Sequence, residues 1–296
     1  MQAAAKGARP WGHLTPAGLC TWYKPAMVEE STQRLMLPPG SPIHLTAFDP
    51  EYSAGIEKQT GEPRIRASTK RLTELQERLY AEGKRSVLIV LQAMDAGGKD
   101  GAIKQVMGPL NSQSCYVASF KKPTNRELAH DFLWRVHQRV PAKGEIGIFN
   151  RSHYEDVLVA KVHKLVDDET ITRRYAHINS FEHLLSDGGT RVLKFYLHIS
   201  KEEQRERFAE RLADPNKHWK IGPYDLAERK RWDEYMAAFD AALTATNTPW
   251  APWHIVPSNK KWYRSVAIAE ALERVLTEMD PRYPAPEVDV SKLVLE

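Results

Sequence analysis

The sequence predicts an α/β protein built on a parallel sheet. Three observations carry that expectation: short apolar, β-branched runs of strand length, helical segments between them long enough for crossover connections, and a glycine-rich turn with a lysine directly after the first run. Taken in order, the stretch to about Pro50 carries seven prolines and no sustained periodicity, so it reads as an extension, with residues 1–37 variable and Met27 an alternative start. Regular structure is expected from Ser68, an N-cap followed by Leu72, Leu75 and Leu79 at helical spacing and closed by Gly83. Ser86–Gln92 is the first strand, apolar enough to be buried on both faces. The later strands are Tyr116–Phe120, Glu145–Phe149, Val192–Ile199 and Trp253–Val256. Thr124-Asn-Arg-Glu127 is a capping box opening a helix through Leu133, Trp134 and Val136, which Pro141 ends. Another helix carries Tyr175, Ile178, Phe181, Leu184 and Leu185 and stops at Gly188-Gly189. No internal repeat interrupts this alternation, so residues 38–296 are expected to form one domain.

Composition narrows the function classes. With 296 residues, 42 % hydrophobic and 27 % charged, the chain is long enough to bury an active site and is neither disordered nor fibrous. No apolar run approaches the ~20 residues of a membrane helix, and the mean hydropathy of −0.52 agrees, so no membrane partner is expected. The N-terminus shows no secretory pattern, and the two cysteines, Cys20 and Cys115, suit neither a disulfide framework nor a zinc site; the expected compartment is the cytoplasm. A net charge of +4 is too mild for a protein that coats nucleic acid, so an anionic partner must be met by a local basic patch.

The chemistry-bearing residues cluster after the strands. Ala93-Met-Asp-Ala-Gly-Gly-Lys-Asp-Gly101 follows the first strand and precedes the helical Ala102-Ile-Lys-Gln-Val106. Gly97, Gly98 and Gly101 let backbone N–H groups approach an oxyanion, while Lys99 adds a point charge, with Lys104 on the helix behind it. A standard Walker A loop has Gly at the place of Ala93 and Ser or Thr at that of Asp100, so a tight turn with a solvated lysine is the competing reading. Asp95 favours phosphate binding through a cation, because a carboxylate in such a loop repels the ligand unless Mg²⁺, or Mn²⁺ in its place, lies between them. After the third strand, Phe149-Asn-Arg-Ser-His-Tyr-Glu-Asp156 offers Arg151 as a phosphate clamp, with Asp156 or Glu155 as metal ligand or base; a loop ion pair among them is the alternative. On Glu202–Arg211 and the turn that follows, Arg207, Arg211, Lys217 and Lys220 read either as a lid over phosphates or as a solvated, salt-bridged helix. Phe120, Lys121 and Lys122 end the second strand, where a ring and two amines suit a nucleotide, although such a phenylalanine is as often core.

At this point the chain resembles the family-2 polyphosphate kinases, in particular the subgroup that phosphorylates both AMP and ADP. The carriers are Met94–Gly101, Phe149–Asp156, Leu197–Ser200, Arg207–Lys220 and Trp250–Pro257, and the resemblance runs from about Leu37 to about Leu276. Ala93 and Asp100 belong to that family's own pattern, and Glu155-Asp156 points to the subgroup. The resemblance implies a P-loop kinase, thymidylate-kinase-like, with a five-stranded parallel sheet flanked by helices, a helical lid at about 201–230, and a homodimer or homotetramer. It also implies Asp95 and Asp156 at Mg²⁺ and acceptor activation, Lys99 and Arg151 on the transferred phosphate, and Arg207, Arg211, Lys217 and Lys220 along the polyphosphate channel. The expected reaction is phosphoryl transfer from polyphosphate to AMP or ADP, giving ADP and ATP. Rival readings are an ATP-dependent nucleoside or nucleotide kinase on the same scaffold and a non-enzymatic nucleotide-sensing or nucleic-acid-binding module.

Overall fold

The computed structural model describes residues 35–294. Its centre is a five-stranded, wholly parallel sheet in the order β2-β3-β1-β4-β5, formed by β1 (Ser86–Ala93), β2 (Cys115–Ser119), β3 (Ile146–Asn150), β4 (Thr190–His198) and β5 (Trp253–Pro257). Every position of β1 is buried, as its unbroken Val-Leu-Ile-Val-Leu run requires of a central strand covered on both faces. Alternate residues feed two cores. Leu88 and Val90 join Phe149, Tyr196 and Trp253 on one face, under α5 (Glu155–Val162), α6 (Asp168–Asp187) and α9 (Trp232–Ala245). Val87, Ile89 and Leu91 meet Leu72, Leu79 and Leu272 on the other, under α1 (Lys58–Glu82) and α10 (Lys261–Met279).

The expected strands all form, whereas several boundaries move. The first helix begins at Lys58 rather than Ser68, because Gly61 lets α1 lie directly on Trp262 of α10: a Cβ there would fall 2.6 Å from the indole. Packing thus overrides the weak local signal of Gly61 and Pro63. The capping box at Thr124 forms in both directions, yet it opens only one turn, α3 (Asn125–Leu128). Asp131 then caps Leu133 at 2.9 Å and starts a second turn, α4 (Trp134–His137), where one continuous helix was expected. After the glycine turn, α2 (Lys99–Ala102) widens over Ile103–Met107, with Gly108 N–H donating to the Ile103 carbonyl five residues back.

The proline-rich segment folds further upstream than expected. Leu35 and Leu37 bond to Ile255 and Trp253 at 2.9 and 3.1 Å, covering the outer edge of β5. Ile43 and Leu45 are buried against α9, fastened by Thr244 and Asp240 at 2.8 and 2.9 Å, so the segment is part of the core despite its irregular backbone. Cys20 and the alternative start at Met27 lie outside the described residues, and Cys115 is free. Among the described residues no helix is long and apolar enough to cross a membrane.

Candidate active site

The strand order sets β1 between β3 and β4, so the turn after β1, the loop after β3 and the helix after β4 meet at one end of the sheet. That helix is α7 (Lys201–Ala213), opened by Ser200 as its N-cap. It is followed by a short turn at Pro215–Lys220 and by α8 (Pro223–Lys230), the expected lid span.

The glycine turn is shaped by close contacts. A Cβ at Gly97 would lie 2.5 Å from the Ala93 methyl, and Gly98 holds a φ of +102°, which disfavours any other residue. Lys99 folds back over the turn and donates to the Ala93 carbonyl at 3.0 Å. Burial, and then the neighbouring Arg151, push its ammonium pKa down. Asp100, at the place of the usual hydroxyl residue, accepts from the Asn150 amide at 2.9 Å and so ties the turn to the end of β3. Two side chains of α7 hold the turn's outer carbonyls: Gln204 donates to Asp95 and Arg207 to Ala96, each at 2.8 Å.

Arg151 is the hub between the turn and the β3 loop. Its backbone sits at φ +62° although it is not glycine, held there by its N–H to the Leu91 carbonyl at 3.2 Å. The guanidinium donates to Asp95 Oδ1 at 3.0 Å and lies 3.9 Å from Glu155 Oε2. Burial alone lowers the Arg151 pKa, but the Glu155 and Asp95 carboxylates outweigh it and the net shift is upward. Burial pushes the Glu155 carboxyl up, against the opposing pull of Arg151 and Lys99. Gln92 steadies Glu155: with its amide turned to satisfy both ends, the nitrogen donates to Glu155 Oε1 at 3.2 Å and the oxygen accepts from Ser152. Behind the loop, Glu182 accepts from Lys194 at 2.7 Å and from the Tyr154 hydroxyl at 2.9 Å and meets His153 at 3.1 Å, all fully buried, which fixes the backbone that carries Arg151 and Glu155.

A cleft opens over this cluster. It is lined by Asp95, Arg151 and Glu155, by the apolar Leu158, Val159 and Phe239, and by Tyr224 and Glu228 of α8. The glycine turn, Asp95, Lys99, Arg151 and Glu155 are therefore brought together as the sequence predicts. Asp156 instead pairs with the buried Arg135 at 3.3 Å, and burial raises its pKa against that pairing. Phe120 is a core residue, edge to face with Phe149 at 4.8 Å and covered by Arg135, so its ring offers no platform for a base; Lys121 and Lys122 are exposed. Arg207 is buried and donates to Glu203, Ala96, Ser258 and Asn259, which makes it a brace rather than a free channel residue. Arg211 bonds the Lys220 carbonyl at 2.9 Å, Lys217 pairs with Asp214 at 2.9 Å, Lys220 lies over Trp219, and Lys104 is exposed a turn beyond Lys99.

Sequence reasoning missed Gln204, Arg135, Tyr224 and Arg264. Arg264, on α10, lies against Gly98 and Gly101 and is 3 % exposed. Its position just past the carboxyl end of a parallel strand is the signal that points to it.

The polyphosphate kinase 2 family model, PPK2, matches residues 55–284, most of the chain. The chain belongs to the polyphosphate kinase 2 family. It is 50 % identical over 260 residues to the AMP/ADP-polyphosphate phosphotransferase of Meiothermus ruber, covering 87 % of this chain and 97 % of that protein. To the ADP-polyphosphate phosphotransferase of Rhodopseudomonas palustris the identity is 39 %, with coverage of 81 and 86 %. The crystal structure of polyphosphate kinase 2 from Arthrobacter aurescens superposes with a TM-score of 0.86 at 43 % identity, over 89 % of this chain and 94 % of that one. Within a PPK2 fold, Ala93 and Asp100 are working parts of the turn: the first packs under Gly97 and the second anchors it to β3.

Proposed function

We propose that this PPK2 chain transfers the terminal phosphoryl of inorganic polyphosphate to AMP and to ADP, giving ADP and ATP. The observation that carries the reading is the 50 % identity to an AMP/ADP-polyphosphate phosphotransferase across nearly the whole of both chains. The Asp95–Arg151–Glu155 cluster beside Lys99 is the local chemistry that such a transfer needs. A phosphate oxygen is already ionised, so positioning and charge stabilisation matter more than a strong base.

In this reading the glycine turn and Lys99 hold the phosphate being transferred, and Arg151 bridges it to the acceptor. Glu155 and Tyr224 border the acceptor pocket, and the amines of Lys121 and Lys122 supply charge at its rim. The carboxylate chemistry fits Mg²⁺, or Mn²⁺, because Mg²⁺ takes one or two carboxylates plus substrate phosphates. Among the described residues no three His, Cys, Asp or Glu side chains form a protein cage, and Asp95, 22 % exposed and paired only through Arg151, is the first ligand. Asp156 joins it only on leaving Arg135. Bound there, the cation offsets phosphate charge during transfer. Arg211, Lys217 and Lys220 on the lid span meet the rest of the donor chain, so added salt weakens its binding. The same reading includes a cytoplasmic homodimer or homotetramer, and sedimentation of the purified protein measures the assembly.

The test is incubation of the protein with polyphosphate and Mg²⁺ and, separately, AMP and ADP, followed by nucleotide separation. ADP and ATP formed from AMP support the full reading, and ATP formed only from ADP removes the AMP activity. Product with ATP as donor, and none with polyphosphate, overturns it.

A further inference from the structure

We infer that Arg264 is a donor-phosphate ligand, forming with the Gly98–Gly101 turn an anion subsite for a phosphate of the polyphosphate chain. The inference rests on the polyphosphate reading for its donor, but the subsite itself stands on geometry. A Cβ at Gly98 would fall 2.2 Å from Arg264 Nη1, and one at Gly101 would fall 3.1 Å from Nη2. The two glycines thus leave the space in which the guanidinium lies against the loop backbone.

What the guanidinium does there is not explained by the protein's own acceptors. Its one bond is a long 3.4 Å contact from Nη2 to the hydroxyl oxygen of Ser265, whose own proton goes to Gln105 at 2.6 Å. Nε is buried with no partner. The neighbouring Arg207 differs: it meets a carboxylate and three carbonyls, and its purpose within the chain is complete. Arg264 faces the glycine turn and Arg207 and is paired with no carboxylate among the described residues. Burial, and then Arg207, lower its pKa to about 10, so it stays charged at neutral pH. A buried, charged and under-bonded guanidinium beside a second one is unfavourable in the free protein. An anion on the turn relieves both deficits, because it accepts from the free donors and screens the two cations from each other.

The test compares wild type with Arg264→Gln and Arg264→Lys, using tripolyphosphate as the probe in calorimetric titrations without nucleotide and ADP in steady-state kinetics. Loss of a charge-assisted hydrogen bond predicts that Arg264→Gln weakens tripolyphosphate binding by about tenfold or more. The KM for ADP is expected to stay put. Arg264→Lys keeps the charge but not the planar donors, and should fall between the two. Wild-type affinity for tripolyphosphate in Arg264→Gln overturns the inference, as does a parallel rise in both substrates' KM. If Arg264→Gln does not fold, Arg264→Lys decides: weakened binding at native melting temperature supports the subsite, and unaltered binding overturns it. If the wild type binds ATP but not tripolyphosphate, the donor reading falls alone, and the subsite is then judged by whether the same variants weaken ATP.

Discussion

Replacing Gly98 with alanine perturbs the phosphate turn at its most constrained point. The added Cβ meets Arg264 Nη1 at 2.2 Å, its Cζ at 3.3 Å and Arg207 Nη1 at 3.4 Å, on a backbone held at φ +102°. The left-handed backbone alone costs an alanine about 1–2 kcal/mol. For a domain of this size each kcal/mol lowers Tm by about 2–4 °C, so the backbone term predicts a fall of about 2–8 °C. The guanidinium must also move, because backbone cannot. A displacement of the Arg264 guanidinium from the turn on the order of 1 Å predicts a loss of about a hundredfold in kcat. Calorimetry and nucleotide separation measure the two effects. Placing Gly98→Ala in an Arg264→Ala background removes the steric part and keeps the backbone part, so the Tm penalty should shrink there without vanishing. A Gly98→Ala protein with wild-type Tm and kcat, or a penalty indifferent to Arg264, refutes the described packing of the turn.

Asp95→Asn and Lys99→Ala should each lower turnover by about a hundredfold or more while leaving a folded protein, as judged by circular dichroism. Glu182→Gln strands the buried Lys194 ammonium and should cost about 3–5 kcal/mol in urea unfolding, since one partner of a buried pair is removed. Burial, then Arg274, holds the His254 imidazole down to about 3, so below its ordinary pKa of 6.5 the unfolded chain takes up a proton that the folded chain refuses. Stability therefore falls as pH drops from 6.5 toward 3, by about 2 kcal/mol at pH 5 from this group; His254→Gln should flatten the difference in Tm between pH 7 and pH 5, and an unchanged slope refutes it.

Four of the five strands were legible because apolar runs of strand length can be buried only in a covered sheet; the edge strand β2 is part-exposed, with Val117 46 % exposed, and was marked instead by its place in the alternation of strands and helices. The glycine turn was legible because its residue types answer a local steric need, visible in Gly97 and Gly98. What escaped the sequence is set by distant partners. The start of α1 depends on Trp262, about two hundred residues away, and the fold of the proline-rich segment depends on Asp240 and Thr244 of α9. Asp156 reads like Asp95 as a site carboxylate, but on the helix that Glu155 opens the adjacent position turns toward Arg135, and only three-dimensional placement separates the two. Arg207 shows the same limit: its spacing from Arg211 marks a basic helix face, yet the carbonyls that hold it come from the β1 turn and the residues after β5.

These placements give the cations at the site different capacities for a polyanion. Lys99 is held by the Ala93 carbonyl, Arg151 by Asp95 and Arg207 by four acceptors. An incoming phosphate therefore shares Lys99 and Arg151 with an internal partner, and it gains little from Arg207. Internal partners keep a cluster of basic groups stable without ligand, at the expense of affinity for each phosphate taken singly. A chain of linked phosphates offsets that loss, because once one unit is bound the next arrives at high effective concentration. The local patch thus suits a repeating polyanion even though the net charge of the chain is only +4. The argument requires affinity to rise steeply from pyrophosphate to tripolyphosphate and longer chains, and a titration series over chain length that stays flat refutes it.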